Sequence, residues 1–319
     1  MLCREVTHRK IYENTNPSDF FQHIPSETLI NPSSIPNLMQ NNLIISSQKN
    51  LSKLKNIIAA KGKENFHVLS DFDNTLTSAF VDGKKVRSVI AQLRDGNYLT
   101  KDYASKANAL FEKYHPIEIS QKVPLEEKTK AMREWWTTHF DLLISSGLNK
   151  KDLKKVVESG KVRLRKGARE FLGFLHKNNI PLIILSSSGI GDAIPMYLKK
   201  EKVLYDNTHI ISNFYEWGSN GNAVKVKEPI IHCMNKHEII IKNYPVFNII
   251  KKRKNVLLLG DSIGDIGMIQ GFAYNHLLKI GFLNEEITKN LENYKESFDI
   301  LIPNDGGMDY VNKILKEMF

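Results

Sequence analysis

Asp71 and Asp73 stand two residues apart in Ser70-Asp71-Phe72-Asp73-Asn74-Thr75, directly after the short apolar run 66–69. If that run is a strand, alternation turns both carboxylates to one side of the chain. Two carboxylates at this spacing repel unless a cation or a shared proton offsets them, and a hard divalent ion with oxygen ligands, Mg²⁺, is the natural completion. One carboxylate can then attack phosphorus while the other handles protons. A bare Asp-x-Asp more often marks only a strand ending in a polar turn; Thr75 and the strand context reverse that preference here. A second acidic pair lies in Leu259-Gly260-Asp261-Ser262-Ile263-Gly264-Asp265, again after an apolar run. Glycines 260 and 264 let backbone approach closely, so Asp261 can complete a metal shell and Asp265 can hold a metal-bound water or an ammonium.

Two further segments carry weaker signals. Ser186-Ser187-Ser188-Gly189-Ile190-Gly191-Asp192 follows the run LIIL. Its hydroxyls and backbone N–H groups at a helix start make a phosphate cradle, although a Ser and Gly turn capping a helix is the commoner meaning of such a stretch. Asn235-Lys236-His237 offers an ammonium for a phosphoryl oxygen. One lysine among 45 basic residues is ordinarily a solvated charge, and residue physics alone leaves Lys236 unassigned.

The elements that must position these groups are legible as short apolar runs at 66–69, 182–185, 256–259 and 300–302, most of them flanked by Gly, Asp, Ser or Pro. They are expected to be strands buried on both faces. Helical patterns such as GAREFLGFLHKNN lie between the later runs, an alternation that predicts an α/β fold with a parallel sheet and ligands at the strands' carboxyl ends. HIISNFYEW and AVKVKEPI, joined by SNGN, predict a β-hairpin. Residues 100–160 carry helical periodicity and no strand-like run, which predicts an inserted helical cap over the first strand's carboxyl end. A basic helix is expected from Gln48 to a stop at Gly62. Residues 11–48, rich in Asn, Ser and Pro, are expected to form a loosely ordered arm.

The chain has 319 residues, 41% of them hydrophobic, with a net charge of +10. It can bury a large core, and two domains are the prior. The positive charge favours anionic ligands without choosing among phosphate esters, nucleic acid and membrane surfaces. No apolar run approaches the roughly 20 residues needed to cross a bilayer, and the first residues lack a signal-peptide core; a cytoplasmic protein with no membrane partner is expected. Cys3 and Cys233 have neither metal-type nor disulfide-framework spacing and are expected to be reduced thiols, Cys233 serving packing. Basic runs such as KKDLKK keep a nucleic-acid-binding protein as a different class of reading, but the charges are thinly spread and no binding module is recognisable, so no nucleic-acid partner is expected.

The order Asp71-x-Asp73-x-Thr75, then a strand-end Ser, then a Lys, then GDSIGD resembles the motif order of the haloacid dehalogenase superfamily. More narrowly, LSSSGIGD, HIISNF, NKH, LLLGDSIGDIGM and LKIGFLN resemble segments of the cytosolic 5′-nucleotidase class III, or pyrimidine 5′-nucleotidase, family from about residue 48 onward. The resemblance implies a Rossmann-like core, at 49–87 and 161–319, with a helical cap at 88–160 and an N-terminal extension at 1–48. It implies Asp71 as nucleophile, Asp73 as general acid and then base, and Mg²⁺ held by Asp71, the Asp73 carbonyl and Asp261. Phosphate contacts fall to Ser187, Ser188 and Lys236, with Thr75 and Asp265 in support.

The implied activity is Mg²⁺-dependent hydrolysis of a nucleoside 5′-monophosphate by a monomer, UMP and CMP first. In the cap, Glu118, Trp136 and His139 match family positions that face the base. Met132, Trp136, His139 and Leu143 share one helical stripe, whose plainer meaning is core packing; Trp135, on the neighbouring stripe, is the better core candidate. Trp136 resembles family members acting on 7-methylguanosine monophosphate, whose cationic base would stack on indole. His139 stands where a small residue is expected, and could crowd the pocket or, protonated, repel that base. The same motifs also describe a phosphotransferase or a small-metabolite phosphatase. A catalytically dead scaffold is disfavoured because all four acidic positions and Lys236 are present.

Overall fold

The computed structural model describes residues 43–319 except Gln121, His237, Gly271 and Phe272, with backbone alone at 238–240. In chain order the first elements are β1 (Ile44–Ile45), α1 (Gln48–Lys61), β2 (Phe66–Ser70), β3 (Phe80–Val81) and β4 (Lys84–Lys85). Four helices follow with no strand among them: α2 (Val89–Asp95), α3 (Tyr103–Ile119), α4 (Leu125–Ser145) and α5 (Lys150–Glu158). The chain continues through α6 (Ala168–Lys177), β5 (Leu182–Leu185), α7 (Ala193–Lys200), β6 (Thr208–Ile211), β7 (Tyr215–Trp217) and β8 (Ala223–Val226). It ends with α8 (Phe247–Ile250), β9 (Asn255–Gly260), β10 (His276–Leu283), α9 (Ile287–Ser297), β11 (Ile300–Pro303) and α10 (Asp309–Met318).

Seven strands form one sheet in the order β1-β11-β10-β9-β2-β5-β6, parallel throughout except for β1. Alternation gives each central strand to two cores. Val68, Leu182, Ile184, Leu257 and Leu259 pack on one face, while Leu69, Ile183, Leu185, Val256 and Leu258 pack on the other. Fully burying an aliphatic side chain stabilises by about 1.5–3 kcal/mol, so a strand apolar on both faces has no register in which it prefers solvent. The four expected strands are all present.

The helices α2 to α5 gather around a third core, with Leu93, Tyr103, Ala107, Phe140, Leu143 and Leu153 buried. Ile190, Tyr215, Ala223, Val226 and Ile230, from later in the chain, complete it. The helical insert thus leans on the segment after β5 as well as on itself. Among the described residues no helix is long and apolar enough to cross a membrane.

Two expectations are corrected, and one strand lies beyond those expected. The run HIISNFYEW is not one hairpin arm: Thr208–Ile211 pairs in parallel with β5, and only Tyr215–Trp217 pairs with β8, with an irregularity at Glu216/Trp217. The break falls at fully buried Asn213, whose side chain bonds the Ile231 backbone N–H and carbonyl and so turns the chain out of the sheet. β10 was not foreseen, because Lys279 and Gly281 interrupt its apolar run. The expected arm lies mostly outside the described residues, as does Cys3, but its last part enters the sheet as β1 against β11. The basic helix α1 forms as expected, capped by the Ser47 hydroxyl and stopped at Gly62.

Candidate active site

β2 lies between β5 and β9, with Ser70 opposite both Ile184 and Leu259. The Asp71, Ser186–Ser188 and Asp261 segments therefore leave the sheet side by side at its carboxyl edge, where an open parallel sheet places ligands. The Asp71 N–H donates to the Leu259 carbonyl at 3.0 Å, which ties the two acidic segments together at their first residues.

One oxygen from each of Asp71, Asp261 and Asp265 can be chosen so that all lie within 4.8 Å of one another. Lys236 sits among them, its Nζ 2.6 Å from Asp71 Oδ1 and 2.8 Å from Asp265 Oδ1, with the lysine side chain only 5% exposed. Burial works against this ammonium, but the Asp265 and Asp71 carboxylates outweigh it and raise its pKa. Burial pushes the carboxyls of Asp71 and Asp261 upward, and mutual repulsion adds to it. Burial likewise holds Asp73 above the usual carboxylate range, with Lys236 pulling the other way.

One ammonium among three carboxylates leaves the cluster short of positive charge, and its donors are hard oxygens, so the residues present fit a small divalent cation. Asp265 is the least available of the three. Its Oδ1 holds Lys236, and its Oδ2 accepts the N–H groups of Asp261 at 3.1 Å and Ser262 at 3.0 Å. Those bonds, with the Ser262 hydroxyl accepting from Gly264, close a capping box over the turn. A Cβ at Gly260 would lie 2.5 Å from the Asp265 Cβ, so only glycine lets this carboxylate fold back. Asp265 is thus a clamp on the lysine and the loop, while Asp71 and Asp261 keep oxygens for an ion. The Thr75 hydroxyl reaches Asp261 Oδ1 at 3.4 Å.

Ser187 and Ser188 are half-buried at the end of β5. Their loop is held by Ser186, whose hydroxyl accepts from the Ser188 N–H at 3.0 Å, and by Asn213, which donates to the Ser188 carbonyl at 3.0 Å. Because Asn213 also binds Ile231, it links the serine loop to the segment that carries Lys236.

The insert meets this edge at two points. Trp136 packs directly on Gly189: a Cβ there would lie 2.5 Å from the indole Cζ3 and 2.1 Å from Ile90 Cδ1. Glu118 is half-buried, and its Oε1 accepts from the Cys233 thiol at 3.1 Å, three residues before Lys236. Burial, then Glu118, raises the pKa of the Cys233 thiol. His139 lies beneath, 5% exposed, its Nε2 3.1 Å from the Tyr103 hydroxyl and its ring stacked on Trp136. Burial first, then Arg94, lowers its pKa to about 4, so it is neutral at ordinary pH and repels no cation. Met132 and Leu143 of the same stripe are fully buried, leaving Trp136 as its accessible member. Trp135 is also only half-buried, stacked on Tyr114.

Sequence reasoning missed Arg165, Asn284, Asp305 and Tyr294. The Tyr294 hydroxyl donates to the Asp261 carbonyl at 2.9 Å, and Arg165 binds the turn after Asp73. Asn284 closes the segment LKIGFLN but had no role attached to it, the other three lie outside the quoted motifs, and a single arginine among 45 basic residues carries no signal of its own.

A family model described as Pyrimidine 5′-nucleotidase (UMPH-1) matches residues 74–319, beginning one residue after Asp73. A human protein named 7-methylguanosine phosphate-specific 5′-nucleotidase is 33% identical over 285 residues, covering 89% of this chain and 95% of that one. A Xenopus laevis protein of the same name, form A, is 34% identical over 256 residues, covering 80% and 88%. Among solved structures, cytosolic 5′-nucleotidase IIIB bound to cytidine superposes with a TM-score of 0.80 at 28% identity, covering 91% of this chain and 98% of that one. A HAD family hydrolase from Salmonella enterica serovar Typhi shares the fold at a TM-score of 0.52 and 15% identity, over 80% of this chain and 73% of that one. With the acidic motifs at one sheet edge and a helical insert facing them, the chain belongs to the pyrimidine 5′-nucleotidase family, phosphoric monoester hydrolases of the haloacid dehalogenase fold.

Proposed function

We propose that the protein hydrolyses nucleoside 5′-monophosphates in a Mg²⁺-dependent reaction through a phosphoaspartate on Asp71, and that its preferred substrate is 7-methylguanosine 5′-monophosphate. The observation that carries the chemistry is the Lys236 ammonium between Asp71 and Asp265. A phosphomonoester dianion repels an attacking carboxylate, and Lys236 offsets that repulsion at the oxygen that must attack. The ion would be held by the Asp71 and Asp261 carboxylates and the Asp73 carbonyl, and would neutralise phosphoryl oxygens.

An Asp71 carboxylate oxygen forms the new bond to phosphorus as the bond from phosphorus to the ribose 5′-oxygen breaks. Asp73, whose burial favours its protonated form, gives its proton to that leaving oxygen. Its carboxylate then takes a proton from the water that attacks the phosphoaspartate, and phosphate leaves with Asp71 restored. Ser187, Ser188 and Lys236 bind the phosphate, with Thr75 and Asp265 supporting.

Base choice falls to the cap, which we assign to residues 88–160, with the catalytic core at 49–87 and 161–319 and an extension before it. Three observations favour 7-methylguanine over the UMP and CMP expected from the family at large. Trp136 offers indole surface beside the serine loop, His139 behind it is neutral, and the human and frog relatives carry that specificity in their names. Glu118 supplies a carboxylate for the base edge. CMP is the second substrate, supported by the cytidine in the neighbouring structure. We place the enzyme in the cytoplasm, as a monomer acting on a small-molecule nucleotide rather than on nucleic acid.

The test is phosphate release from UMP, CMP, AMP, GMP and 7-methyl-GMP with Mg²⁺. The highest kcat/KM is expected for 7-methyl-GMP; Trp136→Ala should lower that value by about 30-fold, the size of a desolvated cation–π contact of about 2 kcal/mol, and lower CMP turnover less. Equal losses on both nucleotides would remove Trp136 as the selector. A preference for UMP and CMP would return the protein to pyrimidines, and no release from any nucleotide would overturn the nucleotidase reading.

A further inference from the structure

Arg165 is the largest fully buried side chain of the described residues, and its hydrogen bonds run to the turn after Asp73, to Asn284 and to the Gly306 carbonyl. Its Nε donates to the Thr75 carbonyl at 2.8 Å, and its Nη2 donates to the Asn74 carbonyl and to Asn284 Oδ1 at 3.1 Å. Its Nη1 donates to the Gly306 carbonyl at 2.7 Å and lies 3.0 Å from Asp305 Oδ1, while the guanidinium stacks on the Phe282 ring. A guanidinium has five N–H donors, and five acceptors surround this one. None is left for a substrate phosphate.

The partners converge on one turn. Asn74 adopts the left-handed region with φ 55°, and its carbonyl receives the Asn284 amide at 3.0 Å as well as Arg165. Asp305 accepts the N–H groups of Ala79 at 2.8 Å and Phe80 at 3.0 Å, so the same cluster grips the chain as it leaves for the insert. The chain returning from the insert is stitched to the outgoing one, Arg165 N–H to the Leu76 carbonyl and Ser78 N–H to the Arg163 carbonyl.

We infer that Arg165 is a positioning residue: its guanidinium fixes the Asn74 and Thr75 carbonyls from behind and so holds the backbone that presents Asp71 and Asp73. This rests on the roles given to those two aspartates above. The planar fork suits the task, because a lysine's point charge cannot address divergent acceptors in one plane. Asn284 is the second member of the clamp.

The experiment compares wild type, Arg165→Met, Arg165→Lys and Asn284→Ala by two readouts. One is kcat and KM on the best nucleotide. The other, independent of turnover, is the Mg²⁺ concentration that gives the half-maximal rise in melting temperature in the presence of beryllium fluoride. Arg165→Met should lose about 100-fold in kcat with KM within about threefold, the signature of misplaced reacting groups rather than lost substrate contacts. Its Mg²⁺ midpoint should rise by about 10- to 100-fold, as when an outer partner of a metal ligand is removed. Arg165→Lys should fall between the two. Asn284→Ala keeps the buried charge intact, so it decides the matter if Arg165→Met does not fold; a rise of about 10-fold in its midpoint is expected. A folded Arg165→Met, or failing that Asn284→Ala, with kcat and Mg²⁺ midpoint matching wild type would overturn the inference. A wild type that responds to Mg²⁺ yet hydrolyses no nucleotide would overturn the nucleotidase reading alone, leaving the midpoint as the test of Arg165.

Discussion

Asp71→Asn is expected to abolish phosphate release, by at least about 10⁴-fold, because an amide oxygen is too weak a nucleophile to replace the carboxylate and no second group can take its place. The same variant should fold at least as well as wild type. Its amide oxygen can still accept from Lys236, and the change removes one of three carboxylates that burial and mutual repulsion hold in an unfavourable charge state. Kinetics and thermal unfolding of one preparation check both halves. An inactive, unfolded variant would show that Asp71 supports the fold more than the chemistry, and an active one would remove it as nucleophile.

Lys236→Met carries the second large effect, and here stability and activity should fall together. The lysine pairs with both Asp71 and Asp265, at 2.6 and 2.8 Å. Removing one partner of a buried ion pair typically costs about 3–5 kcal/mol, and loss of its charge at the phosphoryl group should lower kcat by about 10²- to 10³-fold. The sign of the pH dependence follows from the direction of the carboxyl shifts. Asp71 and Asp261 already titrate above their unfolded values, and without Lys236 Asp71 should be raised further. A carboxyl raised on folding is tolerated once protonated, so the deficit of Lys236→Met should shrink as pH falls and widen as pH rises through the raised folded pKa values. Added Mg²⁺ should restore the variant's melting temperature by more than it raises that of wild type, since the ion replaces missing positive charge. Melting curves at pH 5.5 and pH 8, each with and without Mg²⁺, check the prediction. A variant as stable as wild type in all four conditions would mean that Lys236 offsets little of the cluster's repulsion.

How far such a site can be read from residues alone depends on how the chain encodes it. Asp71, Asp73, Asp261 and Asp265 were legible because each pair sits in a short motif immediately after a strand apolar on both faces, and such strands have a signal that little else imitates. Lys236 was visible only through family resemblance, since nothing local separates a buried ammonium from a solvated one. Trp136 and His139 show the limit of periodicity. The stripe they share with Met132 and Leu143 is a core stripe, and only three-dimensional packing reveals that Trp136 keeps accessible surface where the insert touches Gly189. Arg165 and Asp305 were illegible, as was the role of Asn284 within LKIGFLN, because they come from separate segments and act on backbone carbonyls and N–H groups, which any sequence supplies. β10 and β6 escaped for a related reason: Lys279 and Gly281 break the apolar pattern of β10, the run HIISNFYEW reads on past Asn213 as one strand, and pairing with β9 and β5 fixes both strands from outside.

A phosphoryl group bound covalently to Asp71 is the most direct signature of this mechanism. Wild type mixed with 7-methyl-GMP and Mg²⁺, quenched in acid within a turnover, and mapped by peptide mass spectrometry should carry one phosphoryl group on the peptide containing Asp71, labile to base and missing from Asp71→Asn. Rapid release of phosphate by wild type with no such adduct at any quench time, or the adduct on another residue, would contradict it.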